Sequence, residues 1–367
     1  MNLNRRTRTI ALATGIAVVA GGLVAGAAVA ANGSGAADAR GGSAKPAAAS
    51  TSPSAAASPK SSTAASSTAA SAACARPTTT VSSAKTLTAA LKSAKPGAVI
   101  KLKAGTYTGD FTGKADGTAT QPITVCGAAD AVISTGSTSD GYGFHIDGGD
   151  YWVLDGFTVT KSQKGVMVDA AKNVIVRGLT VTGTGDEAIH LRENSTDAQI
   201  VGNTISKTGQ RKADFGEGIY VGSAESNWKD ITKGQPDRSD RALIQGNRIS
   251  GTTAESIDVK EGTTGGTITG NVFDGTGMKA ADSWVDIKGN GYTVTGNSGT
   301  AAPEDGFQTH QIVDGWGTDN VFSGNRADVD GSGYGINVTK KLTNVVRCDN
   351  SATDAAKGLS NADCTPV

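Results

Sequence analysis

Carboxylates and lysines alternate in two short segments of the chain, Asp-Val-Lys-Glu at 258–261 and Asp-Ile-Lys at 286–288. Residues two positions apart on an extended strand point to the same side, so each Asp faces the same way as the Lys that follows it. Paired carboxylates can share a Ca²⁺ ion, and a lysine whose pKa is lowered can act as a general base. The two segments therefore predict a site that combines cation binding with proton transfer.

The candidate residues of this site fall into three groups. The predicted metal ligands are Asp258, Asp286, Glu255 and Glu261. The predicted catalytic residues are Lys260, Lys288, Arg192 and His190, with Lys260 or Lys288 as a base whose pKa is lowered by a neighbouring cation. The residues expected to contact a substrate are Tyr220, Trp228 and His310. The alternative is a set of surface ion pairs, each of which stabilises the stack by only about 0–1 kcal/mol.

These residues recur at fixed positions of a repeat. From about residue 142, the chain returns roughly every 22–28 residues to a short apolar-x-apolar strand, a turn and a second short strand. The residue between the two apolar positions gives a first column: His145, Met167, His190, Tyr220, Asp258, Asp286 and Asn337. A second column, two residues later, contains Asp147, Asp169, Arg192, Gly222, Lys260 and Lys288, and a third contains Glu187, Glu217 and Glu255. Stacking at about 4.8 Å would bring each column together.

A repeat of this kind predicts an all-β right-handed parallel β-helix. The short strands alternate strictly, no helical period intervenes, and one coil alone cannot bury its apolar face, so neighbouring coils must stack. We expect about nine to ten coils over residues 80–350, with the register least certain near 307–310. The amphipathic stretch from Ser83 to Ala94 predicts an N-terminal helix that caps the first coil.

Asparagine recurs at one phase of the repeat. The positions are Asn203, Asn247, Asn271, Asn297, Asn325 and Asn350. A side-chain amide can donate and accept at once, so the series predicts a ladder in which each amide bonds the next coil. Ligand contact is the alternative role for these residues.

The first 73 residues differ from the repeat in composition. Three arginines at positions 5, 6 and 8 precede an apolar stretch that ends in Ala-Val-Ala, which predicts a secretory signal peptide over 1–31 or, alternatively, an uncleaved anchor. Residues 32–73 are almost wholly Ala, Ser, Thr, Gly and Pro and predict a disordered linker. We expect the β-helix domain over 74–367, in a secreted or cell-wall-associated protein.

The four cysteines lie near the two ends of the folded region, and none has metal-site spacing. Export would place them in an oxidising compartment. Of the three possible connectivities, we expect Cys74–Cys126 and Cys348–Cys364, which would staple the ends of the domain.

The distribution of charge bears on the partners. The whole chain has 34 basic and 34 acidic residues, but residues 74–367 hold 28 basic and 33 acidic ones. This domain has no overall positive field, and no phosphate loop or nucleotide fingerprint appears, so a nucleic acid partner is not expected. We expect a monomer without stable membrane insertion once the signal is removed.

Several segments resemble a known family. They are 95–107 (Lys-Pro-Gly-Ala-Val-Ile-Lys-Leu-Lys-Ala-Gly-Thr-Tyr), 117–118 (Gly-Thr), 121–125 (Gln-Pro-Ile-Thr-Val) and 151–157 (Tyr-Trp-Val-Leu-Asp-Gly-Phe). They are similar to the opening coils of pectate-lyase-like β-helix proteins, especially the group of chondroitinase B, alginate lyases and family-nine pectate lyases. The resemblance covers most of 80–350. It implies the β-helix fold and, less specifically, a polysaccharide lyase with a Ca²⁺-assisted lysine base.

Three functions are compatible with the columns. A lyase that acts on an acidic polysaccharide by β-elimination needs a cation beside the C5 carboxylate, a base and a proton donor, which the mixed columns supply. A glycoside hydrolase would need only Asp258 and Asp286, although inverting hydrolysis wants carboxyls about 6.5–9.5 Å apart. A non-catalytic wall or carbohydrate-binding protein is the third. In each case, the insertion at 222–240 is expected to overhang the columns as a wall of a groove.

Overall fold

The computed structural model describes residues 72–367. The predicted signal peptide and linker residues 32–71 lie outside the described residues. Over residues 72–367 the chain winds through three parallel β-sheets as a right-handed β-helix, which confirms the predicted fold class.

Thirty strands form the described part of the helix. The first fifteen are β1 (Thr79–Val81), β2 (Val99–Leu102), β3 (Gly105–Thr108), β4 (Phe111–Gly113), β5 (Ile123–Cys126), β6 (Ala131–Ser134), β7 (Tyr142–Asp147), β8 (Trp152–Asp155), β9 (Thr158–Thr160), β10 (Lys164–Asp169), β11 (Ile175–Arg177), β12 (Thr180–Thr182), β13 (Ile189–Arg192), β14 (Gln199–Val201) and β15 (Thr204–Ser206). The others are β16 (Ile219–Val221), β17 (Leu243–Gln245), β18 (Arg248–Ser250), β19 (Ile257–Val259), β20 (Thr267–Thr269), β21 (Val272–Asp274), β22 (Ser283–Ile287), β23 (Thr293–Thr295), β24 (Ser298–Thr300), β25 (Asp305–Thr309), β26 (Val321–Ser323), β27 (Arg326–Gly331), β28 (Ile336–Asn337), β29 (Val345–Val346) and β30 (Ser351–Ala355).

Each of the nine complete coils contributes one strand to each sheet. The sheet that carries the predicted site, called the site sheet, has the order β28-β25-β22-β19-β16-β13-β10-β7-β4. The other two sheets are β1-β2-β5-β8-β11-β14-β17-β20-β23-β26-β29 and β3-β6-β9-β12-β15-β18-β21-β24-β27-β30. The stack has about eleven turns rather than the nine to ten predicted, because β1 precedes the first complete coil and β29 and β30 continue beyond the last one.

Short helices accompany the strands. Helix α1 (Ala84–Lys92) begins after Ser83, whose hydroxyl accepts a hydrogen bond from the backbone N–H of Thr86, and it buries Leu87 and Leu91 in the core. It occupies the stretch where the sequence predicted a helix and packs against β4. Helix α2 (Trp228–Ile231) and the 3₁₀ turns Ala72–Ala75, Ala213–Phe215 and Glu225–Asn227 are the remaining helical segments of the described residues.

The core is a set of stacked apolar columns. On the site sheet, one inward column reads Phe144, Val166, Ile189, Ile219, Ile257, Val285, Phe307 and Ile336, and all of these side chains are fully or almost fully buried. Since strand residues alternate between the two faces, the residue that follows each of them must point away from the core. This alternation sets the direction of the polar columns.

The predicted asparagine ladder is present. The side-chain Oδ1 of Asn271 accepts bonds from the backbone N–H and Nδ2 of Asn247, and Asn271 donates in the same way to Asn297. The pattern runs from Asn203 to Asn350. Each amide of the series is buried and bonds within the protein, so the structural interpretation is confirmed and ligand contact is not.

Both predicted disulfides, Cys74–Cys126 and Cys348–Cys364, are formed. They lie at the two ends of the described solenoid. Among the described residues, no helix has the length and apolar character needed to cross a membrane.

Candidate functional site

The predicted first column stands on the outer face of the site sheet. Strand pairing places His190 beside Tyr220, Tyr220 beside Asp258, and Asp258 beside Asp286. Gln308 continues the column after Asp286, which resolves the uncertain register near 307–310. The sequence repeat therefore brought these residues together correctly.

The column is almost completely buried. His190 and Tyr220 are only 6% and 9% exposed, and Asp258 and Asp286 are 1% and 4% exposed. Asp258 and Asp286 are bound by Lys260, Lys288 and His310, whereas His190 and Tyr220 line a cleft.

Two loops of one coil contribute to the walls of this cleft. The leading loop, 207–218, runs into β16, and the insertion, 222–240, leaves the same strand. Together with the sheet they enclose a cavity of about 520 Å³. Its lining includes Arg211 and Phe215 from the leading loop, Asn227 and Ile231 from the insertion, and Tyr220 and Lys260 from the sheet side. The insertion is thus a wall of the cleft, as predicted.

The insertion is pinned by a buried carboxylate. Both oxygens of Asp237 accept hydrogen bonds, from the backbone N–H groups of Glu193 and Asn194 on the preceding coil and from the hydroxyls of Ser223 and Ser239. Trp228 is 8% exposed and donates its indole N–H to the Ser223 carbonyl at 2.8 Å. Its ring is packed inside the insertion, so the structure does not offer Trp228 as the sugar-contacting surface that the sequence suggested.

Lys288 bridges the two aspartates that were predicted to share Ca²⁺. Its Nζ lies 2.7 Å from Asp258 Oδ1 and 2.7 Å from Asp286 Oδ2, and His310 Nδ1 lies 2.8 Å from Asp286 Oδ1. Burial alone would raise the pKa of Asp286, but Lys288 and His310 hold it well below its usual range. The positive charge between these carboxylates is the protein's own ammonium group, and that group is buried away from the cavity.

Lys260 is the predicted lysine that lines the cavity. Its Nζ lies 2.6 Å from Asp258 Oδ2 and 4.9 Å from the ring centroid of Tyr220. Burial disfavours the ammonium form, but Asp258 outweighs this effect and raises the pKa of Lys260 above its ordinary value. The sequence predicted that Ca²⁺ or a second cation lowers this pKa, whereas the nearest charge that the described residues supply is a carboxylate, which raises it.

Tyr220 lines the cavity from the site sheet. Its ring stands at 4.4 Å between centroids from the ring of His190, and its hydroxyl hydrogen-bonds to none of the residues that the structure describes. Burial, with the charge of Asp258, raises the pKa of Tyr220 well above 10. The phenol is therefore protonated at neutral pH, and a positive charge beside it would be needed to stabilise the phenolate.

Three carboxyl groups cluster beneath Lys260. Glu217, Glu255 and Asp258 each offer an oxygen within 4.8 Å of the others, and Glu217 Oε2 is buried without a partner among the described residues. Burial, followed by repulsion from Asp258, raises the pKa of Glu255 to about 7, and burial with repulsion from Glu187 raises that of Glu217 well above its ordinary value. A cation bound among these carboxyl groups would relieve the repulsion and stabilise their ionised forms.

The predicted metal ligands are only partly in this cluster. Asp258 and Glu255 belong to it, whereas Asp286 is paired with Lys288 and His310. Glu261 points elsewhere, since its Oε1 accepts the backbone N–H of Glu225 at 2.6 Å and so ties the insertion to the next coil.

Two arginines face the cavity with part of each guanidinium free. Arg192 binds Asp169 through Nε and Nη2, at 2.6 and 3.0 Å. Arg211 binds Asp186 in the same way, at 3.0 and 2.6 Å. In both cases Nη1 has no hydrogen-bond partner among the described residues, so two fixed guanidinium groups can each still bind an anion.

His190, a predicted catalytic residue, is held in its neutral form. Its Nε2 donates to the carbonyl of Gly222 at 3.0 Å, and Nδ1 lies 3.4 Å from Glu187 Oε1 without hydrogen-bond alignment. Burial lowers the pKa of His190 despite the nearby Glu187, whose carboxylate binds Lys164. The arrangement suits His190 to position the Tyr220 ring rather than to exchange protons.

The lining residues that sequence reasoning missed include Lys164, Arg211 and Phe215. Lys164 stands two residues before Val166, just as Glu187 stands two before Ile189, so the third column could have been extended to it by spacing. Arg211 and Phe215 lie on the leading loop, which has no counterpart in the repeat and so gave no periodic signal.

Comparison with known proteins agrees with this architecture. Residues 67–218 match the family model described as Pel9A-like, right-handed β-helix region. The crystal structure of an alginate lyase from Paenibacillus sp. str. FPU-7 is 39% identical, with a TM-score of 0.73, over 78% of this chain and 99% of that one. The chain belongs to the pectate-lyase-like family of right-handed β-helix proteins.

Two solved structures of lower identity share the fold. Pectate lyase Pel9A is 15% identical with a TM-score of 0.53, over 75% of this chain and 72% of its own. A rhamnogalacturonan lyase is 13% identical with a TM-score of 0.52, over 75% and 82%. No match was found among curated proteins. The family resemblance expected from residues 95–157 is confirmed.

Proposed function

We propose that this protein is a secreted polysaccharide lyase that cleaves an acidic, uronate-containing polysaccharide by β-elimination. The observation that carries the proposal is one covered cleft in which the Tyr220 hydroxyl and the Lys260 amine lie near two arginines with unpaired Nη1 groups. The 39% identity to an alginate lyase makes alginate the first substrate to test.

The arginines would make the C5 proton of the substrate more acidic. Nη1 of Arg192 or Arg211 would bind the uronate carboxylate and withdraw its negative charge. The proton on C5, next to this carboxylate, would then be easier to remove, because the charge that develops in the transition state is stabilised. Both guanidinium groups are fixed by an aspartate, so little reorganisation is required.

Lys260 and Tyr220 would carry the two proton transfers. The neutral amine of Lys260 takes the C5 proton, the C–H electrons form the C4=C5 double bond, and the C4–O4 bond breaks. The Tyr220 hydroxyl donates its proton to O4, leaving Lys260 as ammonium and Tyr220 as phenolate, and one proton passed between them resets the pair. The active state therefore has one proton fewer than the resting pair of ammonium and phenol.

Ca²⁺ is proposed as an auxiliary group. Glu217, Glu255 and Asp258 would hold it, since carboxylate oxygens suit this ion and the buried Glu217 Oε2 has no partner among the described residues. When bound, the ion would add positive charge beside Lys260 and favour its neutral amine.

The hydrolase alternative receives less support. Asp258 and Asp286 are almost fully buried, and each is already bound to Lys288, so neither is placed to protonate a glycosidic oxygen or to activate water. Secretion is supported by the two disulfides and by the basic-apolar N-terminus of the sequence.

A polymer screen tests the proposal. Alginate, pectate and glycosaminoglycans are incubated with the full chain, with added Ca²⁺ and then with chelator, while the absorbance of the unsaturated product is followed. Growth of this absorbance on at least one polymer, lost in Lys260→Met, would support the lyase. New reducing ends without the absorbance would support a hydrolase, and binding without either signal would support a non-catalytic module.

A further inference from the structure

An exposed aromatic ring stands on the wall of the cleft. Phe215 is 42% exposed, and it is the aromatic member of the four large exposed hydrophobic residues in the described part of the chain. It belongs to the leading loop and lines the same cavity as Tyr220 and Lys260. An aromatic side chain of this size is normally buried, so its position at a cavity mouth suggests an apolar contact with a ligand.

The two faces of the ring have different surroundings. Lys212 Nζ lies over the ring, 4.0 Å from its centroid, and Lys212 does not line the cavity. The ammonium therefore occupies one face of the ring. The other face is left for a ligand, beside a source of positive potential.

The loop that carries the ring is held in place. The Thr253 hydroxyl donates to the carbonyl of Ala213 at 2.9 Å, and the backbone N–H of Arg211 donates to the carbonyl of Gly185 at 2.8 Å. Gly209 has a φ of +69°, and a Cβ there would meet Thr253 Oγ1 at 1.7 Å, so the loop approaches the next coil as closely as glycine allows. A ring on such a loop is positioned before the ligand arrives.

We infer that Phe215 forms a sugar-binding subsite, in which its ring stacks on the C–H face of one pyranose unit of the acidic polysaccharide. Arg211, four residues earlier and also on the cavity wall, would bind the carboxylate of that unit or its neighbour through its free Nη1. This subsite takes the role that the sequence assigned to Trp228. The inference rests on the proposed function for the class of ligand, but it concerns binding and not the elimination step.

The test measures binding without cleavage. Dissociation constants for an alginate oligosaccharide are determined by calorimetry in a Lys260→Met background, alone and combined with Phe215→Ala, Phe215→Trp, Phe215→Leu or Ile312→Ala. Ile312 is also exposed, at 58%, but does not line the cavity, so its variant is the matched control. The stacking contact predicts roughly three- to tenfold weaker binding for Phe215→Ala, a smaller change for Phe215→Trp than for Phe215→Leu, and no change for Ile312→Ala.

The outcomes separate the subsite from the reaction. Three results would overturn the subsite. They are equal affinity of Phe215→Ala and its parent, equal affinity of the Phe215→Leu and Phe215→Trp variants, and no binding by the parent. Turnover of the same polymer by the chain with Lys260 intact reports on the proposed function by itself. A chain that eliminates alginate normally with Phe215→Ala, at unchanged KM, would keep its lyase assignment and lose the subsite.

Discussion

Replacing Asp258 by Asn should move the pH profile of the reaction toward acid. The carboxylate lies 2.6 Å from Lys260 Nζ and raises the pKa of that amine. A neutral Asn removes this attraction, so the pKa of Lys260 falls and the neutral amine, which the mechanism needs, is populated at lower pH. The acid limb of kcat/KM should shift in the same direction.

The geometry gives the size of the effect. A hydrogen bond to a charged group contributes about 1.5–3 kcal/mol, and each 1.36 kcal/mol is a tenfold change in a protonation equilibrium. The neutral fraction of Lys260 at a given pH below its pKa should therefore rise about tenfold to a hundredfold. Stability should fall at the same time, because Lys288 keeps only Asp286 as a charged partner.

The assay records initial rates of unsaturated product formation between about pH 6 and pH 10, within the folded range of each variant. Asp286→Asn is the matched control, since Asp286 contacts Lys288 and His310 but makes no ion pair with Lys260. The control should keep the wild-type acid limb. An unshifted limb in Asp258→Asn, or an equal shift in both variants, would refute the assignment of Lys260 as the titrating base.

Three other changes have defined outcomes. Lys288→Met should lower the free energy of unfolding by about 3–5 kcal/mol in denaturant titrations, because it leaves two buried carboxylates without their shared cation. Lys260→Met should abolish turnover but reduce the free energy of unfolding by less. Burial raises the pKa of Glu255 to about 7, so the folded protein keeps a proton that the unfolded chain releases at lower pH. The free energy of unfolding should therefore fall as the pH rises from the ordinary pKa of a glutamate to about 7. Thermal melts of Glu255→Gln should show a smaller fall over the same pH range, and added Ca²⁺ should raise the wild-type Tm more at the alkaline end of it. Asn271→Ala, in the middle of the ladder, should cost about 2–4 kcal/mol in denaturant unfolding, and more than Asn350→Ala at its end, since it leaves buried backbone groups of two coils unpaired.

The repeat made the fold and the columns predictable. Apolar residues at fixed spacing must face the core, so the polar residue between them faces out, and stacking then aligns His190, Tyr220, Asp258 and Asp286 without further information. The same logic predicted the asparagine ladder. These features depend only on the period of the chain and on the alternation of a strand.

The chemistry of the site was less predictable because it depends on contacts across loops. Spacing alone cannot tell that Lys288 turns toward two carboxylates and away from the cavity, while Lys260 lines it. The leading loop has no periodic counterpart, so Arg211 and Phe215 gave no signal. Trp228 looked like a contact surface because the sequence could not show that its insertion folds over the ring.

Elimination itself is tested most directly by the oxygen content of the products. When the protein cleaves its uronate polymer in ¹⁸O-labelled water, β-elimination breaks the C4–O4 bond without adding solvent oxygen. The account predicts products whose mass matches the unsaturated oligosaccharide, with no label incorporated at the moment of cleavage. Products that carry one solvent ¹⁸O for each bond cleaved, and no double bond, would contradict it.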